Sequence, residues 1–190
     1  QQERLKITLE DSESTVSGEF VLVFSGEWAQ RQPFTGTTYG NATVSADQET
    51  LTLGSATGGY HVLQNIAAID HSKDISLRQR IHVVSMGKSA GTIPVASATG
   101  VGYYFTIADY EGGTACPMLF ANLFNNGTEL VLRFRYGESG ATTYKDVPLG
   151  KTVGEIFDLE VIWTAKDDAL VYVNGILAGE VADATYHNKN

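Results

Sequence analysis

The chain has a single cysteine, Cys116, in 190 residues. One cysteine excludes an intrachain disulfide and a thiolate zinc site. A chain of this length can fill one core without a covalent staple and is short for two, so one domain over 1–190 is expected. Cys116 then reads as a small buried hydrophobe near a bend, with an intermolecular bridge or a reactive thiol as the alternatives. Charge is also sparse, at 18% of residues, and basic residues most of all: 13 Lys plus Arg against 22 acids, a formal net charge of -9. That excess repels nucleic acid and anionic membranes, so neither is an expected partner. No apolar run reaches the roughly 18 residues that a membrane-spanning helix needs. Helical periodicity is nearly missing. Only Val62–Ile69, between Gly59 and Asp70, suggests a turn or two. There is no serine-nucleophile elbow, phosphate loop, dinucleotide fingerprint, linker, low-complexity tract or repeat.

Glycine is plentiful at 20 residues, and 43% of the chain is hydrophobic, the composition of a folded domain with many turns. Period-two alternation dominates. Leu5, Ile7 and Leu9 alternate with Lys6, Thr8 and Glu10, and a second strand runs near Phe20–Val23. Val44, Leu51 and Leu53 flank a polar turn at Asp47–Glu49, and the Gly58–Gly59 pair leads into Tyr60–Ile66. Further strands are expected at 75–84, Val101–Ala108 (Gly102 a bulge or close approach), Pro117–Phe124, Glu129–Tyr136, Ile156–Trp163, Leu170–Val173 and Ile176–Leu177. Lys166–Asp168 and Asn174–Gly175 are the last turns, the latter a strong hairpin signal because both residues tolerate positive φ. Consecutive strands without crossover helices predict an all-β antiparallel sandwich of two sheets, of jelly-roll type, with about eleven to thirteen strands.

The stretch 75–83 is the most informative. Alternation puts Ile75, Leu77, Gln79, Ile81 and Val83 on one face and Ser76, Arg78, Arg80 and His82 on the other, side chains on a face lying roughly 6.6 Å apart. At 129–136, Leu130, Leu132, Phe134 and Tyr136 share a face opposite Glu129, Val131, Arg133 and Arg135. If the two polar faces belong to one sheet, four of the 13 basic residues gather there. Such a stripe suits an acidic polysaccharide, since the planar guanidinium fork matches carboxylate and sulfate. The alternative is a solvated face whose arginines pair with acids on neighbouring strands. Trp28, Tyr39, Tyr60, Tyr104, Tyr110 and Tyr144 are candidates for stacking on sugar rings, whereas Trp163 follows Phe157, Leu159 and Val161 in phase and reads as core.

His82, beside Arg80, is the best catalytic candidate. It could take a proton near neutral pH while arginines hold a substrate carboxylate, with a tyrosine, Tyr104, opposite it. A surface histidine without a role is the alternative. Asp158 and Glu160 share a face, as paired acids of a glycosidase would, but two acids on a hairpin's outer face are ordinary. His61 and His71 show no ligand spacing, and no metal site or cofactor is expected. Calcium is open, through Asp167, Asp168, Asp109 or Glu111, but no motif supports it. Sequons at Asn41 and Asn126 lie in turn-like contexts and are candidate glycosylation sites. The chain begins at Gln1–Gln2 without Met, which fits a processed or trimmed chain, and secretion is expected.

Three stretches carry a family resemblance: Tyr144–Lys151, Phe157–Val161 and Leu170–Gly175, the last ending in Val173-Asn174-Gly175. Over roughly residues 117–178 the chain resembles the concanavalin A-like sandwich superfamily, which includes laminin-G-like domains, legume-type lectins and several polysaccharide lyases. It is also similar there to alginate and glucuronan lyases. The resemblance implies a jelly-roll sandwich and sugar recognition on one sheet. Lyases of this kind use an Arg-rich strand, which Arg78 and Arg80 would supply, a Gln-Ile-His strand and a late Tyr-rich strand. Thr106-Ile107-Ala108 stands where the histidine strand would fall and holds no histidine, and the late strand is missing unless Tyr186 is its remnant. The expected function is therefore extracellular carbohydrate binding, through Arg78, Arg80, Arg133, Arg135 and Tyr144, to an acidic polysaccharide or glycan. The alternatives are a lyase acting by β-elimination and a structural or adhesive sandwich that binds another protein.

Overall fold

The computed structural model describes residues 4–10, 15–21, 34, 36–53, 59–62, 72–89, 103–108, 117–138 and 143–187. Every regular element among them is a strand. The chain divides into two compact units, 1–32 and 33–190. The first holds one antiparallel pair, β1 (Arg4–Glu10) with β2 (Thr15–Val21), Leu5 opposite Phe20 and Leu9 opposite Val16.

The second unit carries two antiparallel sheets in a sandwich-like arrangement. One has four strands: β7 (Ile75–His82), β12 (Ile156–Trp163), β13 (Ala169–Val173) and β14 (Ile176–Val181), in the order β14-β13-β12-β7. The other has five: β8 (Tyr103–Ala108), β9 (Pro117–Asn125), β10 (Leu130–Glu138), β11 (Thr143–Pro148) and β15 (Tyr186–His187), in the order β11-β10-β15-β9-β8. Two small pairs complete the described strands: β3 (Thr37–Gly40) with β6 (Gly59–Val62), and β4 (Ala42–Val44) with β5 (Leu51–Leu53). These fifteen strands exceed the eleven to thirteen expected, because short pairs and the two-residue β15 show too few alternations to be read.

Alternation explains the core. In β12, Phe157, Leu159, Val161 and Trp163 are buried while Asp158, Glu160 and Ile162 are half-buried on the other face. Val171 and Val173 of β13 repeat the pattern, and Ile75, Leu77 and Ile81 of β7 pack on the same cluster. From the five-stranded sheet, Leu119, Ala121, Leu123, Leu130, Leu132 and Phe134 meet them. Each such large side chain contributes about 1.5–3 kcal/mol on leaving water. Trp163 is core, as its phase predicts.

β9 and β10 pair directly over Phe120–Asn125 and Leu130–Arg135. Beyond that β15 lies between them, antiparallel to β9 at Pro117 and Met118 and parallel to β10 at Gly137 and Glu138. The 164–168 turn holds the segment that reaches this place. Ala184 N–H donates to the Asp167 carbonyl, Asp183 N–H to Asp168 Oδ1, and Trp163 Nε1 donates to Thr185 Oγ1, which donates to Asp167 Oδ1. Asp167 and Asp168, open as calcium ligands in the sequence, are turn and clamp residues. No group of three metal-ligating side chains occurs among the described residues.

The Asn174–Gly175 hairpin is as expected, with φ of 51° and 79°. Asn174 also ties it to β12, its Oδ1 accepting from Asp158 N–H at 2.9 Å. The Asp47–Glu49 turn joins β4 to β5 as anticipated. Of the Val62–Ile69 segment, Val62 ends β6 and the rest lies outside the described residues, as do Cys116, Gly102, Trp28, Tyr110, His71, Asp109 and Glu111. No helix among the described residues is long and apolar enough to cross a membrane.

Candidate functional site

The four arginines singled out in the sequence do not share a sheet. Arg78 and Arg80 stand on β7 of the four-stranded sheet, Arg133 and Arg135 on β10 of the five-stranded one. Both pairs point away from the core that joins the sheets, so the expected four-arginine groove does not form. Periodicity sorts a strand's two faces, but it carries no information about which sheet the strand joins.

On β7 the phase is as expected, with Ser76, Arg78, Arg80 and His82 exposed. Acids face them across the register: Arg78 opposite Glu160 and Arg80 opposite Asp158. Ser76 Oγ donates to Glu160 Oε1 at 2.7 Å, and Arg78 Nη2 lies 3.8 Å from Asp158 Oδ2. With Glu180 on β14, this face sets two arginines against three carboxylates and presents no cationic stripe. Asp158 and Glu160 are thereby placed as cross-strand partners of the arginines. His82 ends β7 opposite the exposed Ile156. Tyr104, expected opposite it, is in β8 of the other sheet.

The outer face of the five-stranded sheet is different. Its register makes one row of Tyr104, Asn122, Arg133 and Asp146 across β8, β9, β10 and β11. The next row is Thr106, Phe120, Arg135 and Tyr144. The antiparallel β10–β11 pairing puts Arg133 beside Asp146, and they meet side-on: Nε donates to Oδ1 at 2.6 Å and Nη2 to Oδ2 at 2.8 Å. The hydrogen bond to Asp146 raises the Arg133 pKa above the usual guanidinium value, against the desolvation that lowers it. The guanidinium carbon lies 5.1 Å from the Phe124 ring centre and 5.7 Å from that of Tyr144. Asp146 keeps 41% of its side chain exposed, and Tyr144 is 37% exposed.

Around this pair lies an open cleft of about 480 Å³ lined by Lys88, Ser89, Phe124, Asn126, Arg133 and Asp146. Its far wall is the segment after β7, which reaches the end of β9. Lys88 bridges to Asn125, Ser89 N–H donates to the Asn125 carbonyl at 2.8 Å, and Asn125 Nδ2 donates to the Met86 carbonyl at 3.0 Å. Asn126 opens the β9–β10 turn, its Oδ1 accepting from the backbone N–H groups of Thr128 and Glu129. Asn41 sits in the exposed turn between β3 and β4. Both sequons therefore lie in turns.

Arg135 plays another part than expected. It is 4% exposed, with its guanidinium carbon 4.6 Å from the centre of the Tyr186 ring, and its Nε has no hydrogen-bond partner among the described residues. Lys88, Phe124 and Asp146 were not anticipated. Lys88 and Asp146 lie in segments without alternation, and Phe124 was read only as part of a strand. The chemistry of the cleft is that of a polar binding surface: a fixed fork of donors and acceptors beside an aromatic ring. Comparison with protein-family models, with curated proteins and with solved structures found no match.

Proposed function

We propose that this chain is an extracellular carbohydrate-binding domain of concanavalin A-like, jelly-roll type, and that it takes an acidic polysaccharide in the cleft at Arg133 and Asp146. The carrying observation is the bidentate Arg133–Asp146 pair, which lines a cleft of about 480 Å³ and has the exposed Tyr144 ring 5.7 Å from its guanidinium carbon. Sugars offer vicinal hydroxyls that both donate and accept, and an aligned carboxylate and guanidinium answer both needs. A neighbouring aromatic face covers the apolar side of a ring. The volume falls in the range of small-ligand sites. The two-sheet architecture and the sequon at Asn41, in an exposed turn away from the cleft lining, fit the same reading.

The test is a panel of polyuronates, sulfated polysaccharides and neutral glucans, read for retention and for new ultraviolet absorbance. Retention without absorbance is expected. Replacing Arg133 with Met should weaken it about tenfold, through the lost guanidinium donors and the lost orientation of the Asp146 carboxylate. Replacing Tyr144 with Ala should weaken it about two- to tenfold, through lost stacking. No retention by any polymer, or retention untouched by both changes in a folded protein, overturns the reading. A rise in absorbance assigns β-elimination instead.

A further inference from the structure

We infer that Lys88 is the residue by which this cleft distinguishes an anionic sugar from a neutral one. The inference rests on the reading of the cleft as a glycan site. Among the described residues, Arg133 and Arg135 stand on the outer face of β10 and Lys88 lines the cleft beside it, and the two arginines are already committed. Arg133 is neutralised by a two-point contact with Asp146. Arg135 is buried against Tyr186. Lys88 lines the cleft, is exposed, and has no ion-pair partner among the described residues.

Its position is also fixed. The bridge to Asn125 and the Ser89 N–H bond to the Asn125 carbonyl hold its backbone. Its stem lies flat on Gly127, where an added Cβ would fall 2.8 Å from Lys88 Cδ and 2.9 Å from Cε. Gly127 has φ of 95°, so the turn requires a residue tolerant of positive φ, and the absent side chain leaves the space that the lysine stem fills. A lysine whose backbone and stem are already ordered loses less entropy on meeting an anion. One unneutralised ammonium suits one carboxylate or sulfate group per bound segment.

The experiment measures affinity for four polymers: a polyuronate and its carboxyl-reduced form, and a sulfated polysaccharide and its desulfated form. The wild type should prefer at least one charged form by about three- to tenfold, as expected for a partly exposed charge-assisted contact. The form preferred, carboxylate or sulfate, identifies the anion. Lys88→Met should bring the charged form down towards its neutral counterpart, lowering affinity for the charged polymer several-fold more than for the neutral one. Lys88→Arg should retain the preference. The log–log salt slope for the charged polymer should be on the order of 1 and fall towards zero in Lys88→Met, where a stripe of four cations would give a slope nearer 4. Gly127→Ala, which displaces the stem, should act in the same direction as Lys88→Met. A preference that survives Lys88→Met, or an equal loss for charged and neutral polymers, overturns the inference and leaves the cleft reading intact. Binding of none of the four overturns both.

Discussion

Thr185 offers the sharpest test of how the chain's last segment is held. Its Oγ1 accepts from Trp163 Nε1 at 3.0 Å and donates to Asp167 Oδ1 at 2.7 Å. Trp163 and Thr185 are 2% and 4% exposed, so water cannot readily replace the acceptor taken from the indole. Asp167 is exposed and can rehydrate. Thr185→Val keeps the shape and removes both bonds, and the loss falls mainly on the indole N–H, about 1–3 kcal/mol. In a domain of this size that lowers Tm by roughly 2–12 °C. Urea unfolding followed by tryptophan fluorescence gives the free energy, and a thermal melt gives the shift. Thr185→Ser, which keeps the hydroxyl, should lose less than Thr185→Val. Should the valine variant lie within about 0.5 kcal/mol of wild type, or the serine variant fall as far as it does, the hydroxyl is not what clamps the segment.

Gly179→Ala places a Cβ 2.8 Å from Val147 Cγ1 and should cost about 1–3 kcal/mol of stability by overpacking, part of it recovered by Val147→Ala in the same chain. Urea titration of the single and double variants decides, and equal stability of Gly179→Ala and wild type refutes the close approach of β14 to β11. Glu155 accepts from Thr152 N–H at 2.6 Å and from Lys151 Nζ at 3.2 Å, and the Thr152 backbone bond above all holds its carboxyl below the usual range. Its folded value thus lies under its unfolded one. The stabilisation is present above the unfolded value and is lost as pH falls through the folded one. The stability gap between wild type and Glu155→Gln should therefore be widest near neutrality and close on acidification, and a gap that stays constant with pH contradicts the assignment.

Much of the fold was legible because half-buried strands write their phase into the sequence. Alternation alone gives the bounds of Ile156–Trp163 and the outward set of β7, and Asn174–Gly175 forms the turn its chemistry demands. Edge strand β11 escaped because Thr143, Tyr144, Lys145 and Asp146 are all exposed and show no alternation. β15 escaped because two residues carry no period, and its place between β9 and β10 depends on contacts with the 164–168 turn. β9 was found as a strand, but Asn122 and Phe124 on its outer face are buried too, which hid that face as part of a site.

The candidate site failed to be legible for a more general reason. Whether an outward arginine can hold a ligand depends on its cross-strand neighbour, and that neighbour is set by topology. On the four-stranded sheet the neighbours of the β7 polar row come from far along the chain, as Ser76 and Glu160 do at 84 positions apart. No local pattern announces that acids will stand there. Arg133 and Asp146 are 13 apart across one hairpin, near enough for a short turn to pair them, yet β11 gave no period from which to fix the register. The same reasoning moves the charge-reading role from the arginines to Lys88. Counting arginines finds where positive charge could be, and pairing decides where it is left to act. In this acidic chain most cations near an acid will be taken by it, so a lysine seated on a glycine, in no ion pair among the described residues, matters more than a row of arginines that alternation makes conspicuous.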